Sequence, residues 1–507
     1  MKKVIYAYIK DQHIRKIVEY LKTNHMWEPS LFISREEQTI ELKNLYKESI
    51  FINRMKIRKG KFDYSFIKNI KPVDESIINN LSKYEYNYLN LLQDTNGFNF
   101  SINQRKRFFH EILNYWNSII IDKKPDLFLS YTVPHLPEDY ALYILCKYHY
   151  KIPVLFLNIF PHINQDYYTI QNSIENFSEV FKEEYSSSKS DLISDEINQY
   201  FDVINSNPKV PKHIKLDYYT LDKEKINFFK KFKKLLSILI SGKAFKEAQI
   251  AFKKNNKPFL EAQLNNLEYF FFLNSLEKRK KKLKKIYDSY ILEPNYTDKY
   301  VYFAAPYQPE IATNIAVGSF KDIFLVLDIL TANIPSDCKI YYKEHPRTFK
   351  SLYGVLVKDD YYYDKIKTYK RIVFISDTKN SFDLIDNSIA VATVGGTVAH
   401  EALIRGKPTL VFGNHHFSEC KSVFSINSYE DVKNAFIKIK EGFIPKSQDV
   451  KKYLQAIVNC SFKTILETNN YTQNELKVKK SKDYLDENFT KIGKEFFKAY
   501  ERIYKIK

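Results

Sequence analysis

IAVATVGGTVAHEALIRGKPTLVFG, residues 389–413, is the stretch whose reading decides the fold. Its opening run, IAVATV, has the length and apolar content of a buried strand. The run breaks at Gly395-Gly396-Thr397, a helix-like VAHEALIRG follows and stops at Gly406, and Lys407-Pro408 leads into a second apolar run, TLVFG. Strand, glycine turn, helix and strand in that order imply a parallel sheet. A glycine turn between a strand and a helix start lets backbone N–H groups approach an anion closely, and the helix dipole favours negative charge there. Upstream, KIYYKEHPRTFK (339–350) reads as another strand, ending in Lys343, Glu344, His345, Pro346 and Arg347. A glycine elbow alone often does no more than turn the chain. Three potential cations at one strand end, with the elbow at another, suggest a site for a phosphorylated ligand, because open α/β sheets bind ligands at the carboxyl ends of their strands.

The same rhythm extends in both directions. From Tyr300 onward, YVYFAAP, KIYYKEH, RIVFIS, IAVATV and TLVFG are strand candidates, separated by helix-like stretches such as SFKDIFLVLDIL and SFDLIDNS. Earlier, VIYAYIK reads as a strand and DQHIRKIVEYLK as a helix. KPDLFLSYT and IPVLFLNIF read as further strands, with PEDYALYILCKYHY as a helix between them. Pro137 suits the first position of that helix. Residues 165–222 are polar and read as a loop or lid-like excursion, and 428–507 as largely helical. No internal repeat is visible. The expected fold is α/β and GT-B-like: two Rossmann-like domains facing a cleft, with a basic helical linker and C-terminal helices. The expected boundaries are 1–222, 223–299, 300–430 and 431–507.

The chain has 507 residues, enough for two or three domains, with 44% hydrophobic and 27% charged residues, the composition of a soluble globular protein. Four cysteines form no CxxC pair, so neither a zinc site nor a disulfide framework is expected. The amino-terminal MKKVIYAYIKDQH is too short in apolar residues for a secretory signal, and no run approaches a membrane span. A cytoplasmic location follows as the expectation. The formal net charge of +19 is uneven, with much of it in FFKKFKKLLSILISGKAFK and LEKRKKKLKKIYDSY, inside 223–290. Apolar residues interleave there at roughly helical spacing. Such a helix suits an anionic membrane surface, which would make the protein peripheral at the inner face of the membrane. A solvated linker helix packed on a domain is an equal reading. No nucleic-acid motif accompanies the charge, so nucleic acid is not an expected partner.

VYFAAPYQPE (301–310), YYKEHPR (341–347) and VATVGGTVAHEALIRGKPTLVFG (391–413) together resemble the bacterial capsule and surface polysaccharide biosynthesis proteins. That group includes GT-B-type transferases that use CMP-activated 3-deoxy-octulosonic acid. PHLPEDYALYILCKYHYKIP (134–153) is similar but less specific, and AAP at 304–306 departs from the more histidine-containing pattern. The resemblance implies a metal-independent glycosyltransferase that moves a sugar from a nucleotide-activated donor, CMP-linked among the candidates, to a growing surface glycan or lipid-linked glycan. The nucleotide-sugar is then a substrate, and no cofactor or metal is expected. Enzymatic alternatives are a polyol-phosphate transferase and a sugar-nucleotide epimerase. A non-catalytic membrane-associated assembly factor is the alternative from another class.

In such enzymes a His-Pro pair contacts the donor's nucleotide or phosphate. Carried onto this chain, the pair is His345 with Pro346, and Lys343 and Arg347 would neutralise the leaving phosphate. Gly395, Gly396 and Thr397 complete the expected donor site. Glu401 would accept hydrogen bonds from ribose hydroxyls, or would simply occupy an acid-favoured first helical turn. Gln308 and Glu310 would reach sugar hydroxyls or cap a helix. With the donor in the second half, the group acting on the acceptor or the anomeric carbon should come from the first, and the loop at 134–139 is the candidate. Asp139 is the first choice because a carboxylate at a helix N-terminus is expected to stay ionised, with His135 second and Glu138 beside them. An ordinary acidic first turn would explain Glu138 and Asp139 equally well.

Overall fold

A computed structural model of the chain describes all residues except 10–13, 36–39, 93–100, 160–166, 176–178, 188–190, 207–265, 309–314, 414–415, 465–481 and 505–507. Residues 1–184 with 458–507 form one compact unit; the described residues of 185–457 form a second.

The first unit runs through β1 (Lys2–Ala7), α1 (Arg15–His25), β2 (Trp27–Ser34), α2 (Ile40–Leu45), β3 (Ile50–Asn53) and α3 (Arg54–Arg58). It continues through α4 (Glu75–Leu92), α5 (Ile102–Lys123), β4 (Leu127–Ser130), α6 (Pro137–Ile144), β5 (Val154–Ile159) and β6 (Tyr167–Gln171). The strand order is β5-β4-β1-β2-β3, all parallel, with β6 added antiparallel to β5 at one edge. The sheet changes direction between β1 and β4, the place where a doubly wound fold opens a crevice. Helix α6 begins with Pro137, as expected, and passes into a π-helical turn over Leu145–His149.

Helices α7 (Glu179–Ser186) and α8 (Asp195–Ser206) occupy much of the described part of the stretch read from sequence as a loop. Apolar residues Ile197, Tyr200, Phe201 and Ile204 recur at helical spacing in α8 and are buried, a pattern masked by the polar residues around them. Helix α8 belongs to the second unit, so the unit boundary differs from the one drawn at 222.

The second unit contains α9 (Asn266–Tyr290), β7 (Tyr300–Ala304), α10 (Ile323–Asn333), β8 (Lys339–Lys343), α11 (Tyr362–Lys367), β9 (Ile372–Ile375) and α12 (Ser381–Asp386). Then follow β10 (Ala390–Thr393), α13 (Val398–Ile404), β11 (Thr409–Phe412), β12 (Phe424–Ile426), α14 (Tyr429–Lys440) and α15 (Ser447–Asn459). Its six strands are all parallel, in the order β12-β11-β10-β7-β8-β9. All five strands expected from sequence are present, and the sheet changes direction between β7 and β10. The core is built from Val301 and Phe303 of β7, Ile340 and Tyr342 of β8, Val326, Leu327 and Leu330 of α10, and Leu283 and Tyr287 of α9. Side chains Asp322, Asn380 and Ser428 cap α10, α12 and α14.

The chain then returns to the first unit. β13 (Phe462–Lys463) pairs antiparallel with β6, and α16 (Lys482–Tyr504) packs on α1. Phe489, Ile492, Phe496 and Tyr500 form the buried stripe of α16, in one cluster with Ile17, Val18 and Leu21 of α1. The segment 431–507 is therefore divided between the two units, α14 and α15 staying with the second. Two mainly parallel α/β sheets with abundant helices match the expected fold class. Residues 223–265 of the basic segment lie outside the described residues; 266–290 form α9.

Candidate functional site

In the second unit, strand register brings to one level the ends of the strands that precede the expected donor residues. Ala304 at the end of β7 pairs with Lys343 at the end of β8, and with Thr393 at the end of β10 on its other side. Strands lie about 4.8 Å apart, so the two flanking strand ends are about 10 Å apart, a span that one phosphate-bearing group can bridge. The Thr393 hydroxyl donates to the Ala304 carbonyl at 3.3 Å, tying the central ends together.

The glycines of the elbow meet two different demands. Gly395 has φ +71°, the left-handed region that a side chain disfavours. A methyl group on Gly396 would stand 2.8 Å from the Thr393 hydroxyl. Thr397, exposed, precedes the seven residues of α13.

Side-chain alternation separates Lys343 from Glu344 in the charged motif read from sequence. Lys343 is buried, and its ammonium donates to the Ser381 hydroxyl at the start of α12, at 2.9 Å. Glu344 points the other way and is 0% exposed. Its carboxylate accepts from the hydroxyls of Tyr363 (2.8 Å), Thr348 (3.0 Å) and Tyr342 (3.2 Å), and it pairs with the buried Lys358 ammonium at 3.5 Å. Glu344 therefore serves the packing, together with Lys358. KDDYYYD (358–364), despite its acidic composition, holds that buried lysine as well as buried Tyr362 and Tyr363, where α11 starts.

His345 is exposed and Pro346 partly so. The Arg347 backbone N–H donates to His345 Nδ1 at 3.2 Å, so a neutral ring carries its proton on Nε2, a donor suited to a phosphate oxygen. The atoms crowded around the ring, and then Lys343, Lys350 and Lys358, hold its pKa below the usual imidazole value against the opposing pull of Glu344. Tyr307, in the turn after β7, gathers the cations. Its ring centroid is 5.6 Å from that of His345, and the Arg347 guanidinium carbon lies 4.5 Å over it.

Glu401 is buried in the first turn of α13, and that burial pushes its pKa up to about 7 against the pull of Lys343 and Arg405. Gln308 is also buried, and its amide N–H donates to the Lys321 carbonyl at 2.9 Å, a packing commitment rather than an open sugar contact. Glu310 lies outside the described residues.

In the first unit, the 134–139 loop sits after β4, beside the end of β1. Glu138 receives a forked contact from Arg58, Nη2 at 2.5 Å and Nε at 3.1 Å, and the Trp116 indole N–H donates to its carbonyl at 2.8 Å. His135 Nδ1 lies 2.6 Å from the Val133 carbonyl, which places the proton of a neutral ring on Nδ1 and leaves Nε2 as an acceptor. Burial lowers its pKa. Asp139 is 0% exposed and accepts from the Tyr8 hydroxyl at 2.8 Å. Burial and then Glu138 push its pKa up to about 8, although the Tyr8 hydrogen bond, Arg54 and Arg58 oppose the rise. The expectation of an ionised Asp139 gives way here, because desolvation outweighs the helix dipole.

Tyr8, Arg54, Arg58, Ser381 and Tyr307 went unnoticed in the sequence. Tyr8 lies inside the expected strand VIYAYIK but directly after the observed β1, and Tyr307 directly follows the expected strand YVYFAAP, the position where ligand-facing residues of such sheets collect. β3, which delivers Arg54 and Arg58, is too short at four residues to announce itself.

The fold and the second-unit site define a doubly wound α/β protein with a phosphate-suited cluster at the switch point of its sheet. Residues 247–420 match the model of the family "Capsule polysaccharide biosynthesis protein", a span that includes every described residue of that cluster. No curated protein matches the chain. Among solved structures, Thermosulfurimonas dismutans KpsC, beta Kdo 2,7 transferase, is 13% identical over 73% of this chain and 92% of its own, with a TM-score of 0.30. The beta Kdo 2,4 transferase of the same KpsC is 10% identical over 65% and 79%, at 0.27. The Methanocaldococcus jannaschii UDP-GlcNAc 2-epimerase, in complex with UDP-GlcNAc and UDP, is 14% identical over 90% and 100%, at 0.23.

Proposed function

We propose that the protein is a glycosyltransferase of capsular or surface polysaccharide assembly, using a nucleotide-activated sugar donor, CMP-linked among the candidates. The observation that carries this reading is the alignment of Lys343, Ala304 and Thr393 across β8, β7 and β10, inside the stretch matched by the capsule family. Lys343, the Nε2 donor of His345, Arg347 and the backbone of Gly395–Thr397 hold the phosphate of the donor. Glu401 takes a ribose hydroxyl. The charge of Lys343 and Arg347 offsets that of the leaving group, so the reading includes neither metal nor cofactor. Asp139, flanked by His135 and Glu138, acts on the acceptor glycan or the anomeric carbon; a carboxyl titrating near pH 8 can exchange a proton at ordinary pH.

Peripheral attachment to the inner membrane face is part of the same proposal. It is supported by Lys278, Lys281 and Lys285, exposed at i, i+3 and i+7 on α9. No helix among the described residues is long and apolar enough to cross a membrane.

Thermal-shift screening against CMP, UDP, GDP and CDP with their sugar conjugates tests the donor site. Binding of one nucleotide series, lost in Lys343→Met, is expected; no binding by any series would favour the assembly-factor alternative. Conversion of the donor sugar without acceptor would point to an epimerase instead.

A further inference from the structure

Arg54 opens α3 directly after β3, where Asn53 caps the turn. It is 8% exposed, and its guanidinium carbon lies 4.6 Å over the centre of the Tyr8 ring. Its Nε is buried with no hydrogen-bond partner, and among the described residues no carboxylate comes within ion-pair reach. The two nearby acids are committed elsewhere, Glu138 to the fork of Arg58 and Asp139 to the hydroxyl of Tyr8. Stacking on an aromatic face stabilises the cation but satisfies none of its N–H groups. A buried guanidinium whose Nε lacks a hydrogen-bond partner, with no ion pair among the described residues, is costly to keep unless something that binds there supplies both.

Tyr8 links this cation to the acid. Its backbone is left-handed, φ +64°, an unusual conformation for a tyrosine, and it stands immediately after β1 at the point where the sheet changes direction. One side of its ring lies under Arg54, while its hydroxyl holds Asp139 Oδ2. Asp139 Oδ1 is likewise buried without a hydrogen-bond partner. The site therefore offers a cation and a carboxyl oxygen, each with unused capacity, on either side of one tyrosine. A neutral sugar hydroxyl would serve Asp139 and leave the Arg54 charge unmet.

We infer that Arg54 receives an anionic substituent, a carboxylate or a phosphate, on the substrate group that meets Asp139. Both anions match the planar fork of a guanidinium. The inference rests on the reading that Asp139 faces substrate, but its test does not depend on turnover.

The full-length protein is melted at constant ionic strength while chloride is exchanged stepwise for acetate or for inorganic phosphate. At least one of these anions should raise the melting temperature of the wild type and of Lys343→Met. Arg54→Met, which keeps the stem over Tyr8, should weaken the apparent affinity at least tenfold, and Arg54→Lys, charged but without the fork, should lie between. A response to acetate alone identifies a carboxylate site, and one to phosphate alone a phosphate site. An equal response in Arg54→Met overturns the proposal. Should that variant not fold, the wild type labelled with nitrogen-15 arginine carries the test. The Nε–H resonance missing from the Arg54→Lys spectrum must move on adding the anion, and a stationary resonance overturns it. Turnover of Asp139→Asn is read separately. Normal turnover there would remove Asp139 from the chemistry while leaving the anion result standing.

Discussion

Lys343 and Glu344 are consecutive residues whose side chains work on opposite sides of the second sheet. The ammonium of Lys343 reaches Ser381 at 2.9 Å, whereas the carboxylate of Glu344 is enclosed by Tyr342, Thr348, Tyr363 and Lys358. The alternation of a strand end divides one charged motif into a ligand-suited half and a packing half. Substitutions at the two positions should therefore fail in different ways.

Lys343→Met should leave the melting temperature close to the wild-type value and weaken nucleotide binding tenfold or more, since a hydrogen bond to a charged group contributes about 1.5–3 kcal/mol. Titration calorimetry with the nucleotide chosen by the thermal screen measures this. Unchanged affinity in the folded variant would remove Lys343 from the donor site.

Lys358→Met should do the reverse. It leaves the Glu344 carboxylate buried without its counter-ion, a loss of about 3–5 kcal/mol for a pair of this burial. Urea unfolding reads the loss. A variant as stable as the wild type would show that the tyrosine and threonine hydroxyls around Glu344 suffice on their own.

Gly396→Ala should displace the elbow, because the added methyl meets the Thr393 hydroxyl at 2.8 Å. Thr393→Val in the same chain removes that oxygen but not the bulk, so it should not restore nucleotide affinity, whereas Thr393→Ala should recover part of it. Affinities of the two double variants decide the matter; equal values would mean that the crowding lies elsewhere.

Asp139 and Glu401 are acids whose pKa values in the folded protein stand above their unfolded values, at about 8 and about 7. Between about pH 4 and those values the folded state binds more protons than the unfolded one. Stability therefore falls as pH rises through that window, by at most about 1.4 kcal/mol per pH unit for each group. Unfolding midpoints at about pH 5.5, 6.5 and 7.5 should decline in the wild type, and Asp139→Asn and Glu401→Gln should each flatten the decline. A slope indifferent to both substitutions would contradict the assignment. If Asp139 acts as a base, turnover should climb toward pH 8.

Exposed Lys278, Lys281 and Lys285 should each contribute about 1 kcal/mol to attachment at an anionic bilayer. Sedimentation with anionic vesicles should weaken with salt and in the triple glutamine variant. Equal partitioning to neutral and anionic vesicles would return α9 to the role of a packed helix.

How much of this was legible follows from how each signal is written. Five of the six strands of the second sheet announced themselves because both faces are covered, so each appears as an apolar run. The glycine elbow and the His-Pro turn stood out against a glycine-poor chain. β3 and β13 are too short to carry a pattern, and β13 exists only through its pairing with β6. Tyr8 and Arg54 belong to different elements, and nothing local in either sequence says that one stacks on the other. The ionisation of Asp139 was misjudged for the same reason, because its burial is a tertiary property that the acid-favoured helix start does not reveal.

The return of α16 to α1 sets the order in which the polypeptide can mature. Phe489, Ile492 and Phe496 belong to the same core as Val4, Tyr6 and Ile17, yet the ribosome makes them long after those residues. At about 5–20 residues per second, the intervening chain takes tens of seconds to synthesise. During that time the earliest-made sheet lacks one wall of its core, while the second unit, whose described residues are continuous in sequence order, can assemble first. The half that emerges first is therefore the half that finishes last, and its unfinished apolar surface is where a chaperone working beside the ribosome would have to hold the nascent chain.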